Sequence, residues 1–460
     1  MEYFTFGVEL EAVYFYTTKS TKDTTNATGK DLAPVFDMSF DAMKARNPDL
    51  HKCEYWYGNA IEADMMAQVR NTIATFLATL PEISRGQVLP SVPDQYKDWQ
   101  VVIDLSIKLD GMLSEDYDSL CWKGLEVVSP AMYATEASFK EVEAVTDMLR
   151  ATFRTAVPPS CGLHVHVGAG TESFDLDTLK KMAILCWAGD QVLQQMHPVN
   201  RRYNDFCMGP RVLSKLANGF KAVDLNPTGE KALATTKRKV LIWQLALDHP
   251  SRSESQLDFI RTFQRCAHPT EASEEEQDAC RNGCTVFFPD EPPQRNRNVG
   301  IIPGAKELWG CNGTYSVAAL MSTGNRGAYN FDNYDRNNAK TLSKGSKKTV
   351  EFRQAAGSLD GHWVATYAKI CVGIGRFARD FCDGTICRLV YDCYTAELEY
   401  GSYDVLDFII DICLVEEAKV VQDRLKNGGA VSENLRIFST SEGSCLTSAQ
   451  KKLARMTIEK

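Results

Sequence analysis

Four glutamates, two histidines and an arginine recur at alternate positions within short apolar stretches of this chain. Glu9 and Glu11 lie in FGVELE, Glu126 in GLEVVSP, His164 and His166 in CGLHVHVG, and Glu351 and Arg353 in KTVEFRQ, with Asp104 in WQVVIDLSI. Alternate residues of an extended strand face the same way, so each stretch offers one apolar face and one chemical face. If the strands are neighbours in one sheet, these groups converge, with Asp104 near the edge. Two unit charges 4 Å apart repel by roughly 1 kcal/mol in water and about 4 kcal/mol at an effective dielectric of 20, and one arginine cannot neutralise four glutamates. Protons or divalent cations must do so. Hard oxygen donors with a minority of imidazole suit Mg²⁺ or Mn²⁺ better than zinc. Mg²⁺ usually keeps several waters and a substrate phosphate in its shell, so carboxylates with an arginine point to phosphoryl transfer from a nucleotide.

Five strands must position these groups. In the first, Phe4, Phe6, Val8, Leu10 and Ala12 face one way and Thr5, Gly7, Glu9 and Glu11 the other. Val101, Ile103, Leu105 and Ile107 oppose Asp104 and Ser106, and Leu125 and Val127 oppose Glu126. Leu163, Val165 and Val167 oppose the two histidines, with Gly162 and Gly168 leaving room on the histidine face. Val350 and Phe352 oppose Thr349, Glu351 and Arg353. Apolar positions three and four apart predict helices over 60–80, 136–156, 173–196, 362–382 and 403–426, the third capped by Ser173 or Asp175.

Residues 17–50 read as a loop-rich excursion. Pro and Gly punctuation, the acidic run EASEEEQ and a lone apolar stretch, VLIWQLAL, mark 207–325 as an insertion that would serve as a lid or specificity region. It divides a catalytic domain into 1–206 and 326–460. Lys344, Lys347 and Lys348 precede the Glu351 strand and read as a solvated hairpin turn in preference to a phosphate contact.

Composition narrows the function classes. A chain of 460 residues with 44% apolar content can bury a large core, and a net charge of −9 disfavours nucleic acid or an anionic membrane as the main partner. MEYFTFGVEL enters a strand without a basic leader and no apolar run approaches the roughly 18 residues that cross a bilayer, so a soluble, cytoplasmic chain is expected. The 15 cysteines show no CxxC pair and read as thiols. Cys161 lies three and five residues from the histidines, so in a strand its thiol points away from them, against a cysteine hydrolase. Neither GxxxxGK[ST] nor a strand-to-helix GxGxxG is present. A metal-dependent hydrolase or a non-catalytic binding protein could use the same sheet. Keeping so many like charges on it argues against the second.

The ordered set FGVELE, WQVVIDLS, GLEVVSP, CGLHVHVG and TVEFRQAAGSLD resembles the amidoligase family of the glutamine synthetase and glutamate-cysteine ligase superfamily, with further matches at HPVNRRYNDFC and RGAYNFDNY. The resemblance spans residues 6 to about 375. It implies an α+β fold, a curved and mainly antiparallel sheet with helices on its outer face. It also implies an ATP- and Mg²⁺-dependent ligase that activates a carboxylate as an acyl phosphate and passes it to an amine or ammonia. Carried over by position, Glu9, Glu11, Glu126 and Glu351 would bind metal, with His166 ahead of His164 as a metal or nucleotide contact. Arg353 would stabilise the transferred phosphoryl group, and Arg201 or Arg202, Arg326 and Asn330 would contact nucleotide or substrate. Asp104 is a candidate for binding and deprotonating the amine. The oligomeric state is left open.

Overall fold

The computed structural model describes residues 4–18, 32–50, 54–90, 92–109, 120–198, 201, 206–225, 299–323, 327–334, 348–398 and 402–426. Within them the fold is α+β, with a large, mainly antiparallel sheet that does not close. Arg202, Arg326, Lys344, Lys347, the stretch VLIWQLAL and the acidic run lie outside the described residues. Among the described residues no helix is long and apolar enough to cross a membrane.

The chain divides into two compact units. One comprises Gly7–Leu163 and Ala356–Ala368. Among the described residues, the other comprises those up to Phe6, His164–Ala355 and those from Lys369 to Lys426. Strands β1 (Thr5–Thr17) and β7 (Gly162–Gly168) contribute residues to both.

In the Gly7–Leu163 unit the hydrogen-bonded order is β3 (Gln100–Ile103), β4 (Cys121–Val128), β1, and all three run antiparallel. Two-residue strands β2 (Phe36–Asp37), β5 (Met132–Tyr133) and β6 (Thr155–Ala156) pair with β1. The predicted alternation of β1 is present: Phe6, Val8 and Leu10 are buried and Glu9 is half-buried. The strand continues to Thr17, where the loop-rich excursion was expected to begin, and Val13 to Phe15 are buried on both faces. The predicted strand through Ile107 stops at Ile103. Asp104 Oδ1 accepts the Ser106 N–H at 2.7 Å, an Asx turn that ends extended structure, and Leu105, expected on the apolar face, is 86% exposed. That turn folds back onto β4. A Cβ at Gly124 would stand 2.7 Å from Ile107 Cβ and 2.8 Å from the Asp104 carbonyl, so only glycine fits.

Helix α1 (Phe40–Arg46) occupies part of the stretch expected to be loop, nucleated by Ser39, whose Oγ accepts the Ala42 N–H at 3.4 Å. Helices α2 (Glu54–Leu77) and α3 (Glu136–Thr152) match the expected periodicity. Buried Glu141 of α3 accepts the Gly86 N–H at 2.7 Å and Trp99 Nε1–H at 2.9 Å, fixing the indole next to β3. Glu141→Ala leaves both donors unpaired and is expected to lower unfolding free energy by about 2 kcal/mol in urea titrations. An unchanged midpoint would show that the clamp contributes nothing.

In the other unit the order is β7, β9 (Thr349–Ala356), β8 (Tyr329–Asn330). Gly168 is required at the end of β7: a Cβ there would lie 2.9 Å from Thr5 Oγ1 and 3.3 Å from Thr349 Cγ2. Helix α4 (Leu176–Ala188) is capped by Asp175, the second of the two predicted candidates, whose Oδ1 accepts the Thr178 N–H at 2.7 Å. The predicted 173–196 helix breaks at Gly189, and α5 (Asp190–Gln194) follows.

Short helices α6 (Pro210–Leu213) and α7 (Ala222–Leu225) precede α8 (Ile301–Gly310) and α9 (Thr314–Met321). Both α8 and α9 pack on α4, with Trp187, Trp309 and Leu320 fully buried. Helix α10 (Gly361–Asp380) is as predicted, whereas α11 (Asp383–Leu398) is an addition. The predicted helix over 403–426 is two, α12 (Val405–Asp411) and α13 (Val415–Lys426), separated where Cys413 takes a φ of 67°.

Candidate functional site

Each unit gathers one set of the residues singled out above. In the Gly7–Leu163 unit the register places Glu11 directly opposite Glu126, with Glu9 opposite Val128 two residues along. Like charges directly opposite each other destabilise a strand pair, so this arrangement needs a compensating cation or proton. The pKa of the Glu126 carboxyl is pushed up to about 9, first by burial, then by the charges of Glu9 and Glu11, with Asp104 adding the least, so its neutral form is favoured in the metal-free chain. Glu11 is buried and ties one oxygen to the backbone, Oε2 accepting the Gly162 N–H at 2.6 Å. The result is three carboxyl side chains, Glu9, Glu11 and Glu126, on one strand pair, oxygen donors of the kind a hard divalent cation takes.

In the other unit Glu351 is a hub. Its Oε1 accepts from Arg353 Nη1 at 2.5 Å and its Oε2 from Asn330 Nδ2 at 2.9 Å, Asn330 being its register partner on β8. Asn330 Oδ1 accepts the Asp332 N–H at 2.9 Å, which fixes which end of the amide meets Glu351. His164 Nδ1 and His166 Nε2 stand 3.8 and 3.9 Å from Glu351 Oε1, beyond hydrogen-bond length. His166 Nδ1 also meets Thr349 Oγ1 at 3.1 Å, and both histidines face the one Glu351 carboxylate.

Glu351, Arg353, His164, His166 and Asn330 are therefore together, as the alternation of β7 and β9 predicts. Arg201, expected to contact nucleotide or substrate, is only 1% exposed, and its Nη2 donates to the Arg353 carbonyl at 2.9 Å. Thr349 and Asn333 belong to the same network and were given no role by the sequence reading. Asn333 Nδ2 donates to the Thr349 carbonyl at 3.2 Å. The signal for them was present: Thr349 shares the Glu351 face, and Asn333 lies in the RGAYNFDNY segment.

A family model described as "Putative amidoligase enzyme" matches residues 2–264, more than half of the chain. The chain belongs to this amidoligase family. The match takes in Glu9, Glu11, Asp104, Glu126, His164, His166 and Arg201, while Asn330, Glu351 and Arg353 of this amidoligase lie beyond it. No curated protein and no solved structure matches the amidoligase chain.

Proposed function

We propose that this amidoligase joins a carboxylic acid to an amine or to ammonia in a reaction dependent on ATP and on Mg²⁺ or Mn²⁺, using a glutamine synthetase-like catalytic fold. The observation that carries the proposal is the strand register that sets Glu11 directly opposite Glu126 with Glu9 two residues along, like charges on one strand pair that a divalent cation would neutralise. Glu9, Glu11 and Glu126 would hold one such ion, and Glu351 with His166 would contribute ligands of their own. A bound divalent ion neutralises phosphate oxygens and orients the nucleotide.

The substrate carboxylate oxygen attacks the terminal phosphorus of ATP and ADP departs. The amine then attacks the acyl carbon, inorganic phosphate departs and a base takes the surplus proton. Arg353, held by Glu351, supplies positive charge for the phosphoryl group in flight. Asp104, close enough to Glu126 to disfavour its ionisation, is positioned to attract an ammonium and accept its proton. Arg326 and Asn330 are the proposed nucleotide contacts, and the 207–325 insertion is the region we assign to substrate choice.

The test incubates the protein with ATP, Mg²⁺ and panels of carboxylic acids, using hydroxylamine as the trapping amine. ADP release that requires an acid and matches hydroxamate formed one for one is the expected result. Amide or phosphoester cleavage in the absence of ATP would overturn it in favour of a metal-dependent hydrolase.

A further inference from the structure

Arg201 sits behind the Glu351 network, and its geometry is that of a strut. A guanidinium that is 1% exposed is costly to bury unless its donors are used, and two of them meet backbone carbonyls of β9. Nη2 donates to the Arg353 carbonyl at 2.9 Å, and Nε lies 3.5 Å from the Gln354 carbonyl.

In an extended strand the N–H and C=O of one residue point to the same side. For Arg353 the N–H donates to the Ala328 carbonyl at 2.8 Å, immediately before the two-residue strand β8 begins. The carbonyl on that side is met by Arg201, which thus does the work of a strand residue with a charge-assisted bond. Arg201 is itself held, its N–H donating to the Pro198 carbonyl and its carbonyl accepting from Cys207 Sγ, both at 2.9 Å. From β8 itself, Tyr329 Oη donates to Gln354 Oε1 at 3.1 Å, so residues 353 and 354 are pinned by backbone and side chain alike.

We propose that Arg201 is a positioning residue that sets the guanidinium of Arg353 through the Arg353 main chain, without touching substrate itself. The inference rests on the ligase reading of Arg353 for its kinetic consequence, but the positioning can be read independently. A misplacement of about 1 Å at a reacting group can cost on the order of 100-fold in rate. Arg201→Met, which keeps volume and removes every donor, is therefore expected to lower kcat about 100-fold with little change in KM. Arg201→Lys, which keeps a charge and one donor, should recover part of that loss and guards against a methionine variant that does not fold.

The decisive comparison repeats Arg201→Met in an Arg353→Met background. If Arg201 acts through Arg353, the second substitution adds less than threefold. An equal 100-fold loss in both backgrounds would make Arg201 an independent structural residue and overturn the proposal.

A second readout does not depend on the reaction. In protein carrying ¹⁵N-arginine, the Arg353 Nε–H resonance is assigned by its loss in Arg353→Met, and it should shift in Arg201→Lys and Arg201→Met. An unmoved resonance refutes the positioning role whatever the enzyme does. A moved resonance in a protein that never turns over ATP would leave the positioning intact and refute the ligase reading.

Discussion

Glu351→Gln is expected to reduce ATP-dependent amide formation by on the order of 1,000-fold, about 4 kcal/mol of transition-state stabilisation. The two shapes are nearly identical, so the loss comes from charge and from hydrogen-bond polarity. Glu351 accepts from Arg353 on one oxygen and from Asn330 on the other, and both donors have fixed direction. An amide at position 351 must turn its NH₂ toward one of them, setting donor against donor and releasing either the Arg353 guanidinium or the β8 side chain. The two histidines lose their shared anion at the same time. Removal of a single aligned charge-stabilising donor costs about 100- to 1,000-fold in other enzymes, and here one change disturbs several. The measurement is kcat by hydroxamate formation, with far-ultraviolet circular dichroism to confirm the fold. A variant retaining more than a tenth of the parent rate would remove Glu351 from the chemistry and reduce it to a structural acceptor for Arg353.

The residues of both clusters were legible because a period of two survives any tertiary context. Glu9 and Glu11 fall on one face of β1, as do His164 and His166 on β7 and Glu351 and Arg353 on β9, since each strand is long and regular. The same rule misled at WQVVIDLSI, where the Asp104 Asx turn stops the strand although the alternation runs on. Apolar pattern is blind to a side chain that captures its own backbone. Helix α11 was passed over because DGTICRLVYDCYTAEL mixes β-branched and aromatic residues that weaken propensity. Its buried Ile386, Leu389, Val390 and Cys393 nevertheless keep helical spacing, and packing decides. Breaks at Gly189 and Cys413 were invisible for the converse reason, since the apolar period continues across them.

Arg201 shows a limit of a different kind. A motif near a site suggests that its charged residues face the ligand, yet whether a guanidinium meets phosphate or backbone depends on the direction of one side chain. Only burial and the carbonyls of residues 353 and 354 identify it as support. Register had the same status. Nothing in FGVELE or GLEVVSP says that Glu11 pairs with Glu126, and that pairing turns two acidic strands into a site that must hold a proton or a cation.

That pairing leads to an expected gain of stability from a loss of function. Glu126→Gln should abolish ligase activity and make the metal-free protein more stable at alkaline pH. Burial, then Glu9 and Glu11, raise the Glu126 carboxyl from its ordinary value of 4.5 to about 9 in the folded state. Between these values the folded chain holds a proton that the unfolded chain has released. The stability linked to that proton is fully present below about pH 4.5 and is lost as the pH rises through about 9, with a slope of at most about 1.4 kcal/mol per pH unit. Glutamine keeps the shape, removes one of three facing charges and cannot titrate, so the variant should show a flatter dependence.

Guanidinium titrations in EDTA at pH 6 and pH 8.5 test this. The parent should lose more stability than Glu126→Gln between the two conditions. Equal losses would show that Glu126 is already ionised or solvated and remove the reason for placing a cation there. Mg²⁺ should reverse the deficit in the parent alone, adding about 2.7 kcal/mol at 100 times its dissociation constant, and that constant should be lower at pH 8.5, where less work is needed to displace the proton.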